Sequence, residues 1–205
     1  MEIKKTPLGM LEANCYQLIN EETKEMVLVD PGDAPVEFLS YLKNYTPVGI
    51  LLTHGHFDHM LGAKVISEKF NCPIYALDLE KPLLEDAVAN LSDPHGVACT
   101  LDDVNYLSDG DFFTLADMDF SVIATPGHTV GGCCYYMEAY DVLFSGDTLF
   151  RRSIGRSDFP GGNYFTLIRT IKKKLFVLPD ETLVLPGHMD ETKIGEEKEN
   201  NPYVL

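Results

Sequence analysis

The chain has 205 residues, 45% of them hydrophobic and 23% charged, with 16 basic residues against 32 acidic and a formal net charge of −16. That size suits one domain with its own core. The acidity argues against a nucleic-acid backbone or an anionic membrane as partner, because both demand a basic face. No apolar run approaches the ~20 residues that cross a bilayer, and the opening MEIKKTPLGMLEANC holds no apolar signal core. A soluble, cytoplasmic protein is expected. The five cysteines (Cys15, Cys72, Cys99, Cys133 and Cys134) are odd in number and form no C-x-x-C pair, so reduced, mostly buried thiols are expected.

The first thirty residues read as strands, with NCYQLI and EMVLVD separated by the polar turn NEETK, a hairpin pattern. DPGDAP breaks it, and Pro35 can start a helix over about residues 36–44. VGILLT is a short, nearly all-apolar run, as expected of a strand buried on both faces. THGHFDH follows at once and so lies in a loop at that strand's C-terminal end. MLGAKVISEKF repeats apolar residues at helical spacing, and CPIYAL returns to strand. Residues 78–105 are the least legible, with a helix expected near 79–90 and a loop around LSDPHG. MDFSVIAT is a strand running into PGHTVGG, and GGCCYYME and DVLFSGD form a second hairpin around AYD. The polar, glycine-rich RRSIGRSDFPGGN precedes a helix, YFTLIRTIKKKL, whose lysines suit its C-terminal end. ETLVLPGH is the last buried strand.

Four apolar strands each end in a polar signature: THGHFDH, TPGHT, SGDT and LPGH. If the strands share a core, their loops meet at one edge of it. Five of the six histidines stand in those loops (His54, His56, His59, His128 and His188), joined by Asp58 and Asp147; only His95 lies elsewhere. Alone, His128 or His188 would read as a structural histidine, and Asp147 as a turn residue. Coincidence does not gather all of them. Nitrogen and oxygen donors without thiolate suit zinc, iron(II) or manganese. Seven are too many for one ion and fit two. Extended backbone points His54 and His56 the same way. Asp58 and His59 lie beyond a bend and can turn to a second ion, while His128 and His188 can each complete one set. Asp147, with two oxygens, is the natural bridge.

These motifs, H-x-H-x-D-H followed by a PGHT histidine, a SGDT aspartate and a PGH histidine, resemble those of the metallo-β-lactamase superfamily in order and spacing. The resemblance implies an α/β (α+β) fold, a four-layer αββα sandwich filling residues 1–205 as a single domain. It implies His54, His56 and His128 on one metal, Asp58, His59 and His188 on the second, and Asp147 between them. TPGHTVGGCCYY, FSGDTLF, GRSDFPGG and TKIGEEKENNPY resemble the short glyoxalase II-like (hydroxyacylglutathione hydrolase-like) hydrolases. Full-length glyoxalase II adds a C-terminal helical domain that supplies much of its glutathione site, and about 17 residues follow His188 here.

The expected function is hydrolysis of S-acyl thioesters, such as S-lactoylglutathione or an ester of a related thiol. The nucleophile would be a hydroxide bridging two divalent metals, most simply zinc, with Asp58 orienting it as well as ligating. A thiolate leaves without an acid's help. Arg152 and Arg156, with Arg151 beside them, are candidates to hold a substrate carboxylate, against ordinary surface ion pairs; Tyr164 and Lys193 are weaker candidates. The partner expected is a small molecule, and the protein a monomer or homodimer. The rivals are a persulfide dioxygenase with one iron, a lactonase, and a non-catalytic metal-stabilised module, which would close its coordination sphere with cysteines. A secreted β-lactamase and the zinc-dependent RNases fit less well, for want of a signal peptide and of nucleic-acid-binding segments.

Overall fold

Alternation along each apolar run decides which layers it joins. The computed structural model describes residues 1–204 and sets the strands into two six-stranded sheets. The first holds β1 (Glu2–Leu8), β2 (Ala13–Ile19), β3 (Glu25–Val29), β4 (Thr46–Leu51), β5 (Ile74–Leu77) and β6 (Asn105–Leu107), side by side in chain order. The second contains β7 (Phe112–Leu115), β8 (Met118–Ala124), β9 (Cys133–Met137), β10 (Val142–Gly146), β13 (Leu183–Pro186) and β14 (Thr192–Lys193), in the order β14-β13-β10-β9-β8-β7. A two-stranded ribbon, β11 (Leu149–Phe150) with β12 (Ser153–Ile154), stands beside the second sheet. β3, β4, β5 and β6 are mutually parallel, as are β10 and β13; the remaining pairs are antiparallel.

Odd and even residues of one strand face different layers. Along β3, Met26 and Leu28 turn to the helices α1 (Val36–Leu42) and α3 (Ala63–Phe70), where they meet Phe38, Leu42 and Ile66. Val27 and Val29 turn the other way and meet Phe120, Tyr135 and Phe144 from the second sheet. Cys134 and Leu143 leave that inter-sheet layer and contact α5 (Tyr164–Thr170) and α6 (Ile194–Asn200) through Leu167 and Ile194. Three apolar layers thus glue four, giving αββα, the expected fold class. Each fully buried Leu, Ile or Phe contributes about 1.5–3 kcal/mol.

The predicted hairpins, the buried run into THGHFDH and the helix at YFTLIRTIKKKL are present, the last continuing from α5 into a π-helical turn over Ile171–Leu175. The helix expected near 79–90 is not. α4 (Lys81–Leu84) is one turn long, and Asp86 ends it by accepting from the backbone N–H of Val88 and Ala89, the local competition that favours turns over helix. β6, β7, β11, β12, β14 and α6 are elements that the sequence did not announce, being short or at the margins of the sheets, and a one-turn helix, α2 (Phe57–Met60), forms inside THGHFDH where a loop was expected. All five cysteines are free, and burial pushes their thiols up, which suits packing and not nucleophilic attack. Among the described residues no helix is long and apolar enough to cross a membrane.

Candidate metal centre

The ends of four strands deliver the donors. β4 leads into His54 and His56, and the chain then coils into α2 (Phe57–Met60), which carries Asp58 and His59. β8, β10 and β13 lead into His128, Asp147 and His188. β4 belongs to the first sheet and the other three to the second, so the site lies where the two sheets meet at one end. Polar ties hold that seam. The Tyr135 hydroxyl donates to the Leu52 carbonyl at 2.9 Å, and the Tyr16 hydroxyl to the Pro186 carbonyl at 2.8 Å. Asn14, which the sequence did not single out, grips the His188 loop. Its backbone N–H donates to Gly187 and its side-chain amide to the carbonyls of Pro186 and Met189.

Outer partners decide which nitrogen of each ring faces inward. Asp30 accepts from the Thr53 hydroxyl at 2.6 Å and from the Thr53 N–H at 2.8 Å. With its proton so committed, the Thr53 oxygen accepts from His54 Nδ1 at 3.1 Å. Asp30 also accepts from His59 Nδ1 at 3.0 Å, and the Arg156 carbonyl accepts from His128 Nδ1 at 2.7 Å. With Nδ1 engaged in each ring, Nε2 of His54, His59 and His128 is the nitrogen that faces the centre, the arrangement typical of metal-ligating imidazoles.

The inner atoms lack protein partners. His54 Nε2, His59 Nε2 and Asp147 Oδ1 are buried without any hydrogen bond, a cost that native interiors rarely carry. His56 Nδ1 lies 3.0 Å from His128 Nε2, near the roughly 3.3 Å between nitrogens that share one tetrahedral zinc. His54, His56 and His128 form one cluster of converging donors, and Asp58, His59 and His188 a second. Asp147 stands between them: Oδ2 is 3.7 Å from His128 Nε2 and 3.9 Å from His188 Nε2, while Oδ1 is 3.5 Å from His59 Nε2. A third grouping, Asp30 with His54 and His59, is an outer one, because both oxygens of Asp30 are already engaged.

Electrostatics agree with this division. Burial, with neighbouring imidazoles, drives His54 well below its ordinary value and His56 down to about 3, so both rings stay neutral with lone pairs available. At His59 burial is outweighed by Asp58, Asp147 and Asp30, which push it up to about 10. Burial alone would raise Asp58, but His59 and His188 hold its carboxyl below the usual range. The carboxylates thus draw a proton onto His59 where a cation would serve instead, and with the neutral His54 and His56 rings these nitrogen and oxygen donors fit divalent cations.

A further carboxylate joins the two halves. Glu80 is 1% exposed; one oxygen accepts from Gly55 N–H at 2.8 Å, the other from Thr129 Oγ1 at 3.1 Å and Gly131 N–H at 2.8 Å. It thus clamps the loop between His54 and His56 to the loop after His128. Asp30 and Glu80 were both missed. Asp30 ends an apolar strand, as the recognised donors' strands end in polar loops; Glu80 lies in the segment whose pattern was illegible. Gly187 shows how tight the site is: a Cβ there would lie 2.5 Å from both Asp147 Oδ1 and His59 Cε1.

The centre opens into a cleft of about 580 Å³, lined by His56, Asp58, His128, Asp147 and His188 and by apolar side chains that include Leu11, Leu91, Phe150, Phe159 and Met189. His95, set apart from the other histidines in the sequence, also lines it; its ring stacks on Phe57 at 4.5 Å. Of the residues proposed to touch substrate, Arg156 lines the cleft, but its guanidinium donates to Asp158 at 2.8 and 2.7 Å and lies 3.8 Å over the Phe159 ring. Arg152 and Arg151 face a separate groove beside Glu191 and Glu196, and Lys193 pairs with Glu181 at 2.6 Å. Tyr164 is exposed against Phe165 and is absent from the cleft wall.

A family model described as the metallo-beta-lactamase superfamily matches residues 8–188. A Bacillus subtilis protein named probable metallo-hydrolase YqgX is 38% identical, the match covering 100% of this chain and 98% of that one. The Haemophilus influenzae hydroxyacylglutathione hydrolase GloC is 31% identical, with coverage of 100% and 98%. Among solved structures, the BLEG-1 B3 metallo-beta-lactamase superposes with a TM-score of 0.93 at 38% identity, covering 99% of each chain. TTHA1623 in a di-iron-bound form superposes at 0.86 with 36% identity, covering 98% of this chain and 99% of its own.

Proposed function

We propose that this chain, a metallo-hydrolase belonging to the metallo-beta-lactamase superfamily, cleaves S-acyl thioesters. The observation that carries the reading is the convergence of the partnerless Nε2 atoms of His54 and His59 and the partnerless Asp147 Oδ1 on one buried centre. His54, His56 and His128 would hold one divalent ion and Asp58, His59 and His188 the other, with Asp147 shared. Zinc is the simplest occupant; iron, which a 36% identical relative holds as a pair, or manganese suits the same donors. Bound there, such ions lower the pKa of water toward neutrality and polarise a carbonyl oxygen.

The chain's own groups do the rest. Asp58 Oδ2 lies 3.1 Å from His188 Nε2, so these two atoms would hold the second ion together, and Oδ1 would remain to accept a hydrogen bond from the attacking water and aim its lone pair at the acyl carbon. Asp30, Thr53 and the Arg156 carbonyl keep the rings from turning as charge shifts during attack. Among the described residues of the cleft, the histidines other than His95 are committed to the centre, and His95 spends its Nδ1 on the Leu91 carbonyl at 2.8 Å. A thiolate, from a thiol of pKa about 8.5, needs no acid in order to leave. GloC, a hydroxyacylglutathione hydrolase, is 31% identical over the whole chain, which supports the thioester over the lactone reading. Both donor clusters are complete, which favours two ions over a persulfide dioxygenase with one iron.

The test is a panel of thioesters, lactones, a persulfide and a β-lactam on protein whose metal content has been measured. About two metals per chain with thiol release is the expected result. Metal-loaded protein that leaves S-lactoylglutathione and other thioesters intact refutes the reading; oxygen uptake with sulfite points to the dioxygenase instead.

A further inference from the structure

We propose that the cleft selects thioesters whose thiol and acyl arms are apolar and uncharged, and that Leu91 and Met189 are the residues that make this selection. The inference rests on the thioesterase reading and adds the class of substrate.

Ten non-glycine residues have positive φ among those described, and four of them are Asp or Asn, which tolerate it. The two large apolar ones are Leu91, at φ 69°, and Met189, at φ 67°. For bulky side chains this backbone is costly and persists only where the surroundings impose it, most often at functional sites. Both residues line the cleft, and both are pinned by hydrogen bonds. The Leu91 N–H donates to Val88 at 3.2 Å, and its carbonyl accepts from His95 Nδ1 at 2.8 Å. The Met189 carbonyl accepts from the buried Asn14 amide at 3.0 Å. The fold thus carries backbone strain at two apolar residues of the cleft into which the candidate metal centre opens. Met189 is 60% exposed and Leu11, on the same cleft, 47%. Apolar surface held open to solvent at the mouth of a site marks what the site receives.

Charge points the same way. Arg156 is the one lysine or arginine among the described residues of the wall, and Asp158 occupies it twice. No second lysine or arginine stands among the described residues of the wall to receive the terminal carboxylates of a peptide thiol. The chain's net charge of −16 disfavours the approach of anions further. An uncharged thiol carrying an alkyl or aryl acyl group fits; glutathione does not.

The experiment has a catalytic and a binding arm, both on metal-loaded protein. In the first, kcat/KM is compared for butyryl thioesters of N-acetylcysteamine, benzyl mercaptan and glutathione, and for acetyl to hexanoyl esters of N-acetylcysteamine. The neutral thiols should be favoured over glutathione by about tenfold or more, and each added CH₂ that enters the cleft should improve kcat/KM by up to roughly fourfold. In the second, calorimetry measures binding of the inert thioethers S-butyl-N-acetylcysteamine and S-butylglutathione, with the neutral one expected to bind tighter. Leu91→Gly and Met189→Gly suit the backbone they occupy, so each should keep or raise Tm while raising KM for the hexanoyl ester several-fold. Tighter binding and faster cleavage of the glutathione compounds would overturn the inference and leave thioesterase activity standing, as would glycine variants with unchanged KM. Neutral thioethers that bind as expected, with no thioester cleaved, would uphold the selectivity of the cleft and remove the thioesterase reading.

Discussion

Replacing Glu80 by glutamine changes one oxygen to an amide nitrogen at nearly constant shape, and the loss can be worked from the contacts. The carboxylate accepts from Gly55 N–H through one oxygen and from Gly131 N–H through the other. Whichever way the amide turns, one of these donors meets another donor. Losing a charge-assisted hydrogen bond and stranding its buried partner costs about 2–4 kcal/mol. Burial raises the Glu80 pKa, so some desolvation cost is recovered on neutralising it, leaving a net of about 2 kcal/mol. For a chain of this size that lowers Tm by about 4–8 °C. The two loops so loosened carry His54, His56 and His128, so metal affinity should fall by about 10- to 100-fold, the usual effect of losing an outer partner. Thermal unfolding with and without metal, and competition against a chelator of known affinity, measure the two effects separately. If Glu80→Gln melts within a degree of the parent and holds metal as tightly, the clamp has no energetic role and the reasoning fails.

Asp147→Ala should lose metal stoichiometry and hydrolysis together, measured by elemental analysis and thiol release; retention of two ions per chain would remove Asp147 from between them. Gly187→Ala puts a carbon 2.5 Å from Asp147 Oδ1 and His59 Cε1, so it should disturb both donors and weaken metal binding about tenfold or more, with modest change in the Tm of metal-free protein. Removing metal with a chelator should lower Tm, since a ligand present at 100 times its Kd contributes about 2.7 kcal/mol to the folded state; calorimetric scans with and without added zinc check this, and identical curves would argue against a metal at this centre.

Much of the fold was legible because its strands are apolar and its breaks are polar. VGILLT, MDFSVIAT, DVLFSGD and ETLVLPGH announce buried strands by composition alone, and the polar residue that ends each marks a loop at the sheet edge. The four-layer arrangement follows from strands such as β3, whose two faces are both apolar and so need cover on both sides. The recognised donors were legible for the same reason: five histidines and two aspartates stood where apolar strands stop.

What the sequence alone could not place are residues whose role depends on where another segment passes. Glu80 matters because it lies within hydrogen-bonding distance of Gly55 and Gly131, 25 and 51 positions away, a distance in the chain that no local pattern encodes. Asp30 orients His59 only because β3 and β4 are neighbours. His95 reads as a loop histidine until Phe57 comes beneath it, and Arg152 reads as a substrate clamp until its backbone turns it toward α6, where its N–H meets Glu197. Composition and periodicity determine which stretches are buried, since burial is a property of each stretch. The partners of a buried charge, and the wall that faces a cleft, are set by tertiary contact, because hydrogen bonds and packing act over a few ångströms of space whatever the separation along the chain.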